Sequence, residues 1–151
     1  MAALGQARTA RSDPGQAERA VLEALALAPD VFEVRLGAYR FYFYNHRYDE
    51  ALPHAEAILA QAARRLNVAG DWRAVGGQDA PFGEMETAPG LYLQALLAWG
   101  YCQVRLGHTA PGRAAVAKVA ELDPRDRFGA RAFLDLIDRR ERGADDADDA
   151  D

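Results

Sequence analysis

Cysteine is almost absent from this 151-residue chain: Cys102 is its single representative. A disulfide within the chain is therefore impossible, and a cysteine-based zinc site has too few ligands. Histidine is nearly as scarce. His46, His54 and His108 form no His-x-x-x-His or Glu-x-x-His pattern, so no metal ligand set is expected. His46 and His108 are expected at helix–helix turns, and Cys102 as a buried, inert thiol rather than a nucleophile. Long hydrophobic runs are missing too. No stretch approaches the roughly 18 apolar residues of a membrane span, and Met1–Asp13 has no apolar core of signal-peptide length. The aromatic run from Val31 to Tyr44 is broken by Glu33, Arg35 and Arg40. These absences predict a cytoplasmic chain with no membrane association. Gly76-Gly77 lacks the lysine and the following helix that a phosphate loop requires. No cofactor, metal or catalytic residue is expected, and the chain reads as a non-enzyme.

An excess of positive charge is also lacking. The formal net charge is −5, and Asp145, Asp146, Asp148, Asp149 and Asp151 account for all of it. The remaining body is near neutral, which leaves no basic field for nucleic acid. Residues 143–151 are expected to form an acidic disordered tail. What is present is ordinary for a globular domain: 50% hydrophobic and 27% charged residues, too apolar for general disorder. Alanine, leucine and arginine are abundant and β-branched residues sparse, which favours helix over long windows.

Internal similarity recurs along the chain. The segment Gln16-Ala17-Glu18-Arg19-Ala20-Val21-Leu22 to Ala28-Pro29 aligns with Tyr48-Asp49-Glu50-Ala51-Leu52, and Ala17 and Ala51 are 34 residues apart. A third copy ends at Leu122-Asp123-Pro124, with Trp99-Gly100 and Leu106-Gly107 in its first helix and turn. Local signals mark the same helices. Pro14 suits a first helical position after Asp13, and Gln16 completes a capping box. Thr109 is the expected cap for a helix carrying Pro111 in its first turn. Gly107 and Gly143 suit the left-handed residue after a helix end, and Arg139, Arg140 and Arg142 suit a last turn. If Asp49 caps its helix, Pro53 removes an early backbone bond and predicts a late start or a kink. Two helices are apolar on more than one side. Phe32, Leu36, Tyr39 and Phe43 form one stripe, Val34, Ala38, Phe41 and Tyr42 another, and the helix from Leu91 to Leu106 is similar. Helices coated in this way need neighbours on both flanks.

The 34-residue step, the small residues Ala17, Ala51 and Gly112 and the closing prolines together resemble the tetratricopeptide-repeat family. The resemblance implies an all-α fold of stacked antiparallel helical hairpins in a right-handed superhelix. It places repeat 1 at about 1–31, repeat 2 at 32–65 and repeat 3 at 93–126, with a C-terminal capping helix at 127–142. It also implies a protein–protein interaction module, an adaptor or dedicated chaperone holding a peptide or protein segment in a concave groove. By position, the groove side includes Glu33, Arg40, Tyr44, Gln94, Tyr101 and Arg105. Arginines suit forked contacts to carboxylates or carbonyls, and tyrosines suit anchors with a polar tip. A homodimer scaffold is the alternative, because a short repeat 1 leaves an apolar face underprotected.

Residues 66–92 interrupt the repeat. Gly70, Gly76, Gly77, Pro81, Gly83, Pro89 and Gly90 make continuous helix improbable there. Long loops in compact domains are functional or packed on themselves. Packing is the favoured expectation, and Trp72 and Phe82 are the candidates for ligand contact. Asp71, Asp79, Glu84 and Glu86 would supply an enzymatic or metal site, the least favoured of the three readings.

Overall fold

The computed structural model describes residues 14–84 and 87–149. Among them run six α-helices and no strand: α1 Pro14–Leu27, α2 Phe32–Tyr44, α3 Tyr48–Leu66, α4 Thr87–Arg105, α5 Thr109–Leu122 and α6 Ala130–Asp149. A 3-10 turn at Trp72–Ala74 lies between α3 and α4. The chain is all-α, as its composition predicts. Helices α1 and α3 begin at Pro14 and Tyr48, 34 residues apart, the same step that separates Ala17 from Ala51.

Pro14 opens α1 at the position where a missing N–H is least costly. Gly107 takes a φ of +88° in the turn before α5, a conformation that disfavours any Cβ. Other local expectations are displaced. Arg47 and His108, not Asp49 and Thr109, precede α3 and α5, and neither side chain makes a capping bond. Asp13 lies outside the described residues. Helix α3 has no late start, because it begins at Tyr48 and carries Pro53 in its second turn. The proline leaves the carbonyl of Asp49 without its helical donor, and Asp49 is exposed, where water can serve instead.

The connections at 28–31, 45–47 and 106–108 are short enough that the helices they join reverse direction. The principal helix contacts run between sequence neighbours: α1 with α2, α2 with α3, α3 with α4, α4 with α5, and α5 with α6. Small residues sit on the inner faces. Ala17 and Ala51 have no exposed surface, and the α3 face continues through Ala55, Ile58, Leu59, Ala62 and Ala63 at helical spacing. At the crossing of α4 and α5, a Cβ on Gly112 would stand 2.6 Å from Val104 Cγ2 and 2.8 Å from the Gly100 carbonyl oxygen. These two helices meet backbone to backbone.

One core cluster joins α3, α4, α5 and α6 through residues such as Leu59, Leu93, Leu96, Val116, Leu122 and Ile137. A second joins α1, α2, α3 and α4 through Val21, Ala38, Tyr42, Tyr48, Ala51 and Cys102. Arg47 ties α1 to this second cluster. Its guanidinium donates to the Glu18 carboxylate on α1 and to Glu50 on α3, and lies 4.9 Å over the Tyr42 ring. Hydrogen bonding from Arg47 holds the Glu18 carboxyl below its usual range. The pair is partly solvated, so its contribution is about 1 kcal/mol or less.

The interruption is shorter than its sequence bounds, because Pro89 and Gly90 fall in the first turn of α4 rather than in a loop. It is also part of the core. Trp72 packs 5.8 Å from Trp99, and Phe82 lies 5.8 Å from Tyr92, between ring centroids. Three backbone carbonyls of the segment are bound by cations from α5 and from the turn that follows it. Lys118 donates to Val75 O at 2.9 Å, and Arg127 donates to Phe82 O at 2.8 Å and Glu84 O at 3.0 Å. The fully buried Asp123 accepts the Arg127 backbone N–H at 2.7 Å and so orders the turn that carries this arginine.

The terminal helix departs from its expected bounds. It begins at Ala130 rather than residue 127, and it passes through Gly143 to Asp149. Residues 143–149 are therefore helical backbone, not a disordered tail, and Arg139, Arg140 and Arg142 lie in mid-helix rather than in a last turn. Ala150 and Asp151 lie outside the described residues.

Gly112→Ala isolates the close approach. Alanine favours a helix interior by about 1 kcal/mol over glycine, yet here its Cβ meets backbone atoms that cannot swing away. A net loss of about 1–3 kcal/mol is expected in urea titrations followed by helical ellipticity. A gain in stability would contradict the crossing.

Candidate functional site

Helices α2 and α4 both pack on α3, and a trough opens between them. Two adjoining clefts form it. One, of about 260 Å³, is walled by Leu36, Tyr39, Arg40, Phe43 and Tyr44 of α2 and by Leu91, Gln94 and Ala98 of α4, with Ala55 and Ile58 of α3 as its floor. The other, of about 420 Å³, continues past Leu97 and Tyr101 to Phe128 in the turn before α6. Tyr39, Phe43, Gln94 and Ala98 border both. The walls follow from helical spacing: Leu36, Tyr39, Arg40, Phe43 and Tyr44 recur at steps of three and four on one face of α2.

The walls are aromatic and braced against one another. Tyr39 and Phe43 lie 5.4 Å apart, Phe43 and Tyr101 5.3 Å, and Tyr101 and Phe133 of α6 5.5 Å, measured between ring centroids. Tyr48 stands edge-on to Phe43 at 5.7 Å and to Tyr101 at 5.8 Å. Such offset and edge contacts add to the stabilisation from burial alone. Burial pushes the Tyr39 hydroxyl well above the ordinary phenol range, so that this side chain stays neutral at any physiological pH.

Of the six residues expected on the groove side, Arg40, Tyr44, Gln94 and Tyr101 line the trough. Tyr44 is 69% exposed, an unusual amount for a large aromatic side chain. Glu33 and Arg105 do not line it, which corrects their assignment. Glu33 is exposed near the start of α2. Arg105 caps the far end of the aromatic cluster, with its guanidinium 5.1 Å over the Tyr48 ring and 5.9 Å over Tyr101. Trp72 and Phe82 also lose their place among the candidates. They are 7% and 2% exposed and belong to the core, where no ligand can reach them. Leu36, Tyr39, Phe43, Leu97, Ala98 and Phe128 were not expected in the site; the first three belong to a stripe that reads as pure helix packing.

The polar residues weighed for chemistry have local structural work. Asp71 accepts the Arg73 N–H at 3.0 Å, and Asp79 accepts the Gly76 N–H at 2.8 Å, so both shape the interruption's turns. Glu84 is exposed, and Glu86 lies outside the described residues. His46 Nδ1 lies 2.9 Å from the Tyr48 hydroxyl, and His108 Nδ1 2.7 Å from Gln103 Oε1. His54 stacks on Tyr42 at 5.7 Å and accepts from Arg35 at 3.2 Å; burial, then the Arg35 charge, lowers its pKa. Among the described residues, no group of three or more His, Cys, Asp or Glu is placed to hold a metal ion. No described helix is long and apolar enough to cross a membrane.

Cys102 has no exposed surface, and burial pushes its thiol up to about 11. At pH 8 only about one molecule in a thousand carries the thiolate, the reactive form. Labelling by a disulfide reagent at that pH is expected to be at least about a hundredfold slower in the folded protein than in urea. Equal rates would place the thiol at the surface.

No protein-family model matches the chain, and no solved structure matches it. Among curated proteins, an uncharacterized 19.8 kDa protein in the nifW 5′ region of Azotobacter chroococcum mcd 1 is 40% identical over 124 residues, covering 82% of this chain and 70% of the relative. At that identity and coverage, this chain belongs to the same family as the Azotobacter protein.

Proposed function

We propose that this chain is a binding module of the tetratricopeptide-repeat kind, which holds a peptide or protein segment in the trough between α2 and α4. The observation that carries the reading is the trough's wall: aromatic side chains, an exposed Tyr44 and an arginine, on two helices held apart by a third. Flat aromatic faces with polar tips, together with arginine, are the side chains that dominate binding energy at protein interfaces. The 34-residue step between helix starts, the small residues at the crossings and the neighbour-to-neighbour packing support the repeat assignment. A superhelical arrangement of the hairpins belongs to the same proposal, as does the role of adaptor or dedicated chaperone. The engaged histidines and the buried thiol favour binding over catalysis. The Azotobacter relative is uncharacterized, so the reading rests on the trough.

Self-association is a second reading, and one feature favours it. Among the described residues, the principal contacts of α1 are with α2, and Leu22, Leu27 and Val31 at this end are 50%, 83% and 40% exposed. Light scattering at micromolar concentration separates the two states: a dimer supports this reading and a monomer removes it.

Ala98→Trp tests the trough, because Ala98 is half-buried and borders both clefts. Peptides selected on the wild-type protein from a randomised displayed library are expected to bind the variant at least about tenfold more weakly, a change of about 1.4 kcal/mol. Unchanged affinity, with unchanged circular dichroism, would place binding elsewhere.

A further inference from the structure

We infer that the trough selects an acidic amphipathic segment, one that offers two neighbouring apolar side chains to the clefts and an Asp or Glu carboxylate to Arg40. The inference rests on the reading of the trough as a peptide site and adds the chemistry of its occupant.

Charge decides the class of partner. Among the described residues, Arg40 is the one charged residue lining either cleft, and no carboxylate lines them. Every other polar group on the walls is neutral: Gln94 and the hydroxyls of Tyr39, Tyr44 and Tyr101. Arg40 is exposed and, among the described residues, makes no hydrogen bond or ion pair. Three arginines elsewhere in the fold are engaged. Arg47 binds Glu18 and Glu50, Arg113 binds Asp138, and Arg127 binds loop carbonyls. Glu33, the acidic residue on the same face of α2, lies two turns upstream and forms no bond with Arg40. A guanidinium presents a planar fork of donors that matches a carboxylate edge to edge. Beside an apolar wall, that fork is an attachment point for an anion carried on an otherwise apolar strip.

The size of the clefts sets the rest of the pattern. Small-molecule pockets span roughly 300–1,000 Å³; of these clefts, the one of about 260 Å³ falls below that range and the one of about 420 Å³ falls in its lower part. They are open, they adjoin, and they share Tyr39, Phe43, Gln94 and Ala98. Each is suited to one large apolar side chain. Their adjacency requires two anchors close together, on successive turns of a helix or at alternate positions of an extended segment. The acidic segment 144–151 does not fit the trough of a second copy. From Ala144 onward it contains only alanine and aspartate, and so it has the charge but no anchor.

Selection from one randomised displayed peptide library on two proteins, wild type and Arg40→Glu, tests the inference. Arg40 has no hydrogen-bond or ion-pair partner among the described residues, so the variant is expected to keep its circular dichroism; Arg40→Gln provides a second, uncharged variant. Wild-type selections are expected to combine aromatic or aliphatic residues with Asp or Glu. In a selected peptide, replacing that residue by Lys is expected to weaken binding about tenfold. On Arg40→Glu the same apolar anchors should return with Lys or Arg, and on Arg40→Gln without charge preference. Peptides that need the trough, by their loss on Ala98→Trp, but show no acidic bias or keep it on Arg40→Glu would overturn this inference and leave the trough reading intact. A library that yields no trough-dependent peptide on either protein would overturn both.

Discussion

Gly112 faces Gly100 so closely that a single added methyl would fall within 3 Å of backbone, and this contact fixes how α4 and α5 cross. Where the residue at a helix crossing is alanine or glycine, backbones approach and each helix can bury most of its inner face against one neighbour. Ala17 and Ala51, earlier in the chain, likewise have no exposed surface. Close pairing in sequence order leads to a serial arrangement, in which α3 lies against both α2 and α4. Because α3 presents Ala55 and Ile58 between them, the two flanking helices stand apart above a shallow floor. The trough is thus floored by Ala55 and Ile58 and flanked by the larger side chains of Leu36, Tyr39, Phe43, Tyr44 and Leu91.

The interruption between α3 and α4 serves the opposite side of the same helices. Its apolar residues enter the core, and its backbone carbonyls are bound by Lys118 and Arg127. Buried loop backbone must find partners, and here long cationic side chains reach across to provide them. The ends of the chain differ from this well-tied centre. Helix α1 relies on its alanine face and on Arg47, while α6 packs on α5 through residues such as Ile137 and extends to Asp149. Fewer packed neighbours at α1 imply the lowest local stability there.

Much of this was legible in the residues. Helical period, turn glycines and the positions of Ala17, Ala51 and Gly112 all follow from spacing, because a helix repeats every 3.6 residues and a close crossing tolerates only small side chains. Arg40, Tyr44, Gln94 and Tyr101 were reachable by position, through the resemblance to the tetratricopeptide repeat. Tyr39 and Phe43 were not, since an apolar stripe looks identical whether a neighbour covers it fully or leaves a gap. The distinction depends on the distance between α2 and α4, which residues on α3 set from elsewhere in the sequence. Trp72 and Phe82 show the converse: glycines around them signal a loop, but whether a loop's aromatic side chains turn inward depends on distant partners such as Trp99 and Tyr92. Gly143 reads locally as a helix end, yet the helix continues past it.

Side-chain and amide NMR of the protein, titrated with a peptide selected on it, tests the central claim most directly. The account predicts shifts concentrated at Leu36, Arg40, Tyr44, Gln94, Ala98 and Tyr101, with the outer face of α1 and the exposed side of α6 unmoved. Shifts confined to those outer faces, with the residues between α2 and α4 silent, would contradict it.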